Sequence, residues 1–343
     1  MAEAHGGPDP GHILQVGFGF WASKTLLSAV ELELFTLLGG EALTAEEIRV
    51  KLELHTRAHL DFLDALVSLH LLDREGEGPT ARYANTPATG LFLDTASPAY
   101  VGGILEMANA RLYPFWANLT EALRTGEVQN ESKGGGDFFG ELYRNEPRLE
   151  QFMAAMRGLQ TGNFMTLLDK VDLSTANTLV DLGGASGFLC ALAAQRHPNL
   201  RVVNFDLPPV QPIACRTFTT FGVADRATAV AGDLFADPFP SADVAVFGNL
   251  LHDFDEPSKQ ALISKAYDSL NPGGRMIAIE NVIDDARREN AFGLLMSLNM
   301  LIETPGGFDY TAAQFDAWCR PAGFTRTEVV PLAGPSSAAI AYK

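Results

Sequence analysis

Cysteine is scarce: Cys190, Cys215 and Cys319 are scattered over 343 residues with no C-x-x-C spacing, so neither a disulfide framework nor a thiolate zinc site is indicated. The histidines do not help, because His197, His252 and those near the N-terminus lack ligand spacing, and no metal is expected. Positive charge is short as well, with 25 lysines and arginines against 42 aspartates and glutamates and a net charge of −17. A nucleic acid or an anionic membrane needs a cationic footprint, so neither is an expected partner, and a neutral or cationic small ligand is easier to accommodate. No unbroken run reaches the roughly 18 apolar residues of a membrane span. The opening MAEAHGGPDPGHI lacks the basic-then-apolar pattern of a signal peptide, and the expected location is cytoplasmic. What remains is ordinary globular composition, 47% apolar and 20% charged, at a length that suggests about two domains.

The first part of the chain is patterned as helix. Leu26, Leu27, Val30, Leu34 and Leu37 recur at helical steps between Ile13 and Leu38, which predicts two helices broken near Ser23. Thr44 is placed to cap a helix with Glu46 and Glu47 in its first turn. Thr56 to His70 predicts another helix, and Asp73 to Asn85 a small hairpin. Helix, helix and hairpin in that order describe a winged helix-turn-helix, which raises DNA binding. The would-be reading helix offers Arg57 but also Asp61 and Asp64, which counts against it, and a dimerisation or lid module is the preferred reading. Helix resumes from Tyr100 to Thr125, QNESKGGG (Gln129 to Gly136) reads as a linker, and Pro147 to Lys170 as one long helix. The expected division is 1–128, a connecting region 129–170, and 171–343.

From Thr178 onward strand and helix alternate, which predicts a parallel sheet covered on both faces, closed by an antiparallel hairpin formed from Thr325 to Leu332 and Ala338 to Tyr342. Its first strand ends in TLVDLGGASG, with Asp206 about 20 residues further on, where a ribose could meet it. The glycines miss the dinucleotide pattern G-x-G-x-x-G, since Ala185 and Phe188 stand where the second and third would fall. No lysine accompanies the turn, so a triphosphate is unprovided for. A nucleoside cofactor without phosphates fits better, and S-adenosylmethionine (SAM), with its cationic sulfonium, is the obvious one; an ordinary strand-to-helix turn is the plainer alternative.

A second block, NLLHDFDE (Asn249 to Glu256), follows the fourth strand and so falls at the carboxyl edge of the sheet. His252 there can take a proton near neutral pH, and a carboxylate on its other ring nitrogen, from Glu280 or Asp309, would raise its basicity. A helix-start or core histidine is an equal reading of the position by itself. The motifs DLGGASG, FDLPPV, GDLF, LLHDFDE, NPGG and GGFDYT, in this order behind a helical region, resemble the SAM-dependent O-methyltransferases of small aromatic and polyketide natural products, over nearly the whole chain.

That resemblance implies a homodimer formed through the N-terminal helices and a Rossmann-like α/β domain holding SAM. It places Asp181, Gly183 and Gly187 at the methionine end of the cofactor, Asp206 on the ribose, and Asp233, Leu234 and Phe235 around the adenine. His252 becomes the general base, flanked by Glu280 and Asp309, with a hydroxyl of an aromatic metabolite as acceptor. Phe152 and Met156 match acceptor-lining positions, and Met296, Asn299, Met300 and Glu303 belong to a helix over the acceptor, although a Met and Leu stripe at that spacing is also what a core helix shows. Departures are Gly248 where plant members commonly have lysine, Phe254 where tryptophan follows His-Asp, and Phe308, Asp309 and Tyr310 where Lys-Glu-Arg is frequent. Asp137 and the pair Asp284 and Asp285 read as solvated charges. Two alternatives remain: SAM chemistry without methylation (hydroxylation, decarboxylation or pericyclic reaction), and a DNA-binding regulator.

Overall fold

The computed structural model describes residues 8–135, 138–144 and 146–343; Asp137 lies outside them. The chain forms two compact units that divide between Tyr113 and Pro114.

The first unit opens with α1 (Gly11–Gly17), α2 (Gly19–Glu31) and α3 (Leu34–Leu38). The expected break at Ser23 does not occur. The chain interrupts its helix at Phe18, between two glycines, and again before α3, where Glu33 adopts a φ of 54°. Glycine is the weaker helix former, whereas Ser23 merely faces outward inside α2. Next come β1 (Leu43–Thr44), α4 (Ala45–Lys51), α5 (His59–Ser68), β2 (Leu72–Glu75), β3 (Arg82–Asn85), α6 (Pro87–Phe92) and α7 (Gly102–Met107). Thr44 and Glu47 form a reciprocal capping box on α4. The β2–β3 hairpin gains a third antiparallel strand, β1, too short to show a period in the sequence. Leu34, Phe35, Ile48, Leu63, Leu66 and Tyr83 are buried together beneath these elements.

On the outside of this unit Ile13, Val16 and Trp21 are 71%, 67% and 60% exposed. Within the 21 residues Gly11–Glu31 a window of 18 reaches a mean hydropathy of 1.2, long and apolar enough to cross a membrane by length and composition only. This corrects the expectation that no segment qualifies, which counted only unbroken apolar runs.

The second unit carries α8 (Tyr113–Trp116) from the division onward, then α9 (Leu119–Thr125), α10 (Phe138–Tyr143) and the long α11 (Glu146–Lys170). Its sheet contains β4 (Thr178–Leu182), β5 (Arg201–Asp206), β6 (Ala227–Ala231), β7 (Ala242–Gly248), β8 (Leu270–Glu280), β9 (Arg326–Pro331) and β10 (Ser337–Tyr342), in the order β6-β5-β4-β7-β8-β10-β9. The first five are parallel, and β10 and β9 close the edge as an antiparallel hairpin. The helices α12 (Phe188–Arg196), α13 (Gln211–Thr220), α14 (Glu256–Ser269), α15 (Ala291–Glu303) and α16 (Ala312–Ala322) complete it. Residues of α11, α12 and α13 pack on one face and those of α14 and α16 on the other, which is why β4, β7 and β8 are buried almost throughout. Strand order reverses between β4 and β7, the crevice where open α/β sheets bind ligands.

Two segments read as solvent-facing are structural. Gln129 and Asn130, the start of the expected linker, are buried: the Gln129 amide donates to the Ile302 carbonyl at 2.9 Å and Asn130 Nδ2 to the Glu303 carbonyl at 2.8 Å. They satisfy last-turn carbonyls of α15 that no helical N–H can reach. Asp284 accepts from the amides of Arg288, Glu289 and Asn290, and Asp285 from that of Ala313, so these acids brace loops. On α16, Thr311 and Gln314 form a second capping box. Thr311→Ala should lower stability by about 1 kcal/mol, a fall in Tm of roughly 2–4 °C in a unit of this size, read by thermal unfolding.

Candidate active site

The carboxyl ends of β4, β5, β7 and β8 set the site. Pairing aligns Leu182 with Phe205 on one side and Phe247 on the other, and Phe247 with Ala278, so Asp181, Asp206, Gly248 and Glu280 come to one edge. Beyond β4 the chain turns through Gly183 and Gly184, and α12 starts after Gly187, whose φ is 71°. A Cβ on Gly184 would stand 2.0 Å from Asn204 Oδ1 and 2.7 Å from the Asp181 carboxylate. Only glycine lets the turn run between those two side chains.

Asp206 Oδ2 accepts from the Ala185 amide at 2.8 Å and Oδ1 from the Leu207 amide at 2.7 Å. A carboxylate has about four acceptor positions, so its orientation is set while capacity for two hydroxyl donors remains. Burial pushes its pKa to about 6 against the pull of those amides, and burial with the Asp206 charge pushes Asp181 to about 7. Two buried acids side by side, with an unpartnered Asn204 Oδ1 among the described residues, make an acceptor-rich, anionic cradle. It suits a ligand carrying a cation and a diol.

Asp233 caps the turn after β6, accepting from the amides of Phe235 and Ala236. Leu234 is half-buried against the sheet, and the exposed Phe235 ring meets Phe254 edge-on at 5.1 Å. Phe235 therefore touches the turn that carries His252.

His252 lies in a short 3-10 turn, Leu251–Asp253, and is buried. Its Nδ1 is 3.3 Å from Glu280 Oε2 and 3.4 Å from Asp309 Oδ1, and its Nε2 is 3.5 Å from Asp253 Oδ1. Glu280 also fixes the turn, its Oε1 accepting from the amides of Leu250 and His252. Burial works against the imidazolium, but Glu280, Asp253 and Asp309 together outweigh it and push the pKa up to about 10. Burial likewise raises Glu280, partly offset by the facing imidazole, to about 7. His252, Glu280 and Asp309 bring one ligand atom each within 4.8 Å of one another, a grouping that the expectation of no metal cluster missed. The buried ammonium of Lys259 lies in electrostatic reach of the same acids. Side chains already supply the positive charge they call for, and we read a charge-paired histidine rather than a metal site.

The expected acceptor-lining residues fall in two groups. Phe152 and Met156 are half-buried on α11, and Phe152 packs with Leu142, Met153, Val210 and Ile213, toward the Asp206 end. On α15, Met296 is half-buried, Met300 is 6% exposed, Asn299 Oδ1 accepts from Trp116 Nε1 at 2.8 Å, and the half-buried Glu303 takes the Asn130 bond on its carbonyl. Asn299 thus spends its acceptor inside the unit.

Sequence reading missed four features here. Asp253 faces Nε2 of the histidine it follows. Tyr143 on α10 is half-buried where both the Asp206 and Asp253 charges reach its hydroxyl, and desolvation chiefly, then those charges, raises its pKa. Gln160, Asn163, Ser336 and Asn281 form a buried hydrogen-bonded chain beyond the end of β8. Lys259, in S-K-Q of an amphipathic helix, looks like a surface cation and is fully buried. Only the Asp of LLHDFDE carried a signal, through its adjacency to the histidine.

A glycine turn at a topological switch point, a buried acid at the end of the next strand and a charge-paired histidine at the same edge are the features of a group-transfer enzyme of Rossmann-like fold. A family model described as the O-methyltransferase domain matches residues 116–325, and one described as the O-methyltransferase dimerisation domain matches residues 14–95; the chain belongs to the O-methyltransferase family. It is similar to the tetracenomycin polyketide synthesis 8-O-methyl transferase of Streptomyces glaucescens, 42% identical with 97% of each chain covered. It is also similar to an N,N-dimethyltransferase of Streptomyces rimosus, 34% identical over 80% of this chain and 79% of that one. Among solved structures, human N-acetylserotonin methyltransferase in complex with SAM superposes with a TM-score of 0.88 at 28% identity, covering 100% of this chain and 99% of that one.

The raised Asp181 pKa has a sign that can be tested. Folding favours the protonated acid, so its contribution to stability is complete below the usual carboxylate range and is lost as pH rises through about 7. Asp181→Asn should therefore melt above the parent, both without cofactor, at pH 8, by at least about 3 °C. The difference should close toward pH 4 in parallel thermal scans.

Proposed function

We propose that this enzyme moves the methyl group of SAM to a hydroxyl of an aromatic, polyketide-type small molecule, with His252 as general base. The observation that carries the reading is His252 held between Glu280 and Asp309 at the sheet edge that also presents Asp181 and Asp206. Asp181 and the Gly183–Gly187 turn would hold the cationic methionine end, Asp206 the ribose hydroxyls, and Asp233, Leu234 and Phe235 the adenine. Phe152, Met156, Met296, Asn299, Met300 and Glu303 would border the acceptor. SAM supplies a methyl group already activated on sulfur.

The residues then have two tasks, to align the acceptor oxygen with that methyl group and to take its proton. With Nδ1 facing Glu280 and Asp309, the neutral imidazole carries its hydrogen there and presents Nε2 as acceptor. A phenol, with a pKa near 10, would give its proton to Nε2 as its oxygen takes the methyl group, whose bond to sulfur breaks with the electron pair leaving on the neutral thioether. The acids that orient the ring also favour its charged product, which lowers the barrier to that transfer. They equally favour imidazolium before reaction, so the base is active only where pH or the cationic cofactor displaces that proton. A second acceptor class, amines, is suggested by the N,N-dimethyltransferase relative.

The N-terminal unit would pair two copies through Ile13, Val16 and Trp21, which stand exposed in or beside the segment matching the dimerisation domain. Sedimentation equilibrium should give twice the mass of 36.9 kDa, and a monomer at micromolar concentration would exclude this. We take the site of action to be the cytoplasm.

Transfer of labelled methyl from SAM to a panel of phenols and aromatic amines tests the chemistry. His252→Ala should lower kcat/KM by about 10²- to 10⁴-fold. The parent's profile should go on climbing past 6.5, where an ordinary histidine would level off, toward about 10, and that limb should be absent in the variant. Undiminished transfer by His252→Ala would remove the histidine from the reaction.

A further inference from the structure

Lys259 is the side chain that the reaction as described leaves unused. It is fully buried although it lies on α14, a helix with an exposed polar face. Its Nζ donates to the carbonyl of Phe254, the residue that ends the His252 turn, and sits 3.5 Å from the centroid of the Phe308 ring. Phe308 immediately precedes Asp309. One ammonium thus grips both the segment that carries the histidine and the segment that carries one of its carboxylates. Burying a lysine without an ion pair is costly, and here its compensation is a carbonyl, an aromatic face and four acids around it: Glu280 from β8, Asp309 from the segment after α15, and Asp253 and Asp255 from the turn before α14. The same region holds His252 itself and the buried hydroxyl of Tyr310, which feels Glu280 and Asp309, while Tyr143 faces Asp253 from α10.

Glu280, Asp309 and Asp253 favour imidazolium, a poor state for a base, and a fixed cation among the same acids opposes that preference. We propose that Lys259 is a positioning residue for His252: it ties the histidine turn to the Asp309 segment and supplies the fixed positive charge that keeps the surrounding acids from over-stabilising imidazolium. This rests on His252 being the base, but it is read on the free protein and so stands or falls separately. Burial lowers the ammonium's own pKa to about 8, with the four acids pulling the other way, so the charge is present at neutral pH.

The test uses full-length protein with 13C-labelled histidine, the His252 signal being identified by its loss in His252→Gln. In Lys259→Met, of similar length and no charge, the His252 titration midpoint should rise by about one pH unit or more, and the acid limb of methyl transfer should move up with it. A midpoint within 0.2 units of the parent, on the order of measurement error, overturns the proposal. Added ethylammonium should return the midpoint of Lys259→Ala toward the parent value, while ethanol should not.

Should neither variant fold, the coupling is read from the other side, in protein with 13C-labelled lysine. One lysine signal should titrate well below the rest in the parent and move to higher pH in His252→Gln, where the acids that both groups feel no longer have an imidazolium among them. An unshifted signal, or no low-titrating lysine at all, also overturns the proposal. Loss of activity in His252→Ala together with an unmoved His252 midpoint in Lys259→Met would leave the base in place and remove Lys259 from its control.

Discussion

Crowding of buried carboxylates at the carboxyl ends of adjacent parallel strands is the constraint on which the second unit depends. Asp181 lies one residue before the end of β4, Asp206 ends β5 and Glu280 ends β8, while the buried Asp309 and the half-buried Asp253 enter from segments that the same edge supports. Water would ordinarily solvate such charges. Here backbone amides hold Asp206 and Glu280, an imidazole and an ammonium sit among the remainder, and protonation relieves what is left, as the upward shifts of Asp181, Asp206 and Glu280 indicate. A fold that keeps five acids in one place has retained charge for a purpose other than its own stability. An electrophile that arrives as a cation is the partner such a site favours.

The architecture of this unit was legible because its signals were redundant. Short β-rich runs alternated with helical runs, and each strand ended in a turn residue or a carboxylate, so that neighbouring observations agreed. The edge hairpin could be read from GPSS between two apolar runs. What failed was local reading of polar residues. Gln129 and Asn130 resemble linker residues until the last carbonyls of α15 are placed beside them. Asp284 resembles a solvated acid until the loop folds its amides back upon it. In both, the partner lies on the backbone, which composition cannot display. The break at Phe18 was misplaced for a related reason, since apolar spacing continues across it and only the flanking glycines mark it.

The candidate site divides in the same way. Asp206, His252 and Glu280 could be read because each lies at or just beyond the end of a strand, whereas Asp181 and the place of Asp309 came with the family resemblance. Lys259 was not, since a lysine in an exposed helical pattern and a lysine turned into a nest of acids have the same sequence signature. The order in which Phe254, Lys259 and Phe308 meet is a product of tertiary packing. Met300 illustrates the converse: its spacing on α15 was compatible with pocket or core, and 6% exposure places it inside without saying which.

The glycine turn has one consequence of a different kind. Asp181 shares its corner with Asp206, and its affinity for hydrogen ions at neutrality is near balance. A cation held in that corner would favour the ionised acid, so its capture would release part of a hydrogen ion into the medium. The heat evolved would then depend on which buffer receives that acid, and once the positive charge is spent in the reaction, the departing neutral by-product would draw the hydrogen ion back. Occupancy of the corner and the acidity of the solution around it are thereby two readings of one equilibrium.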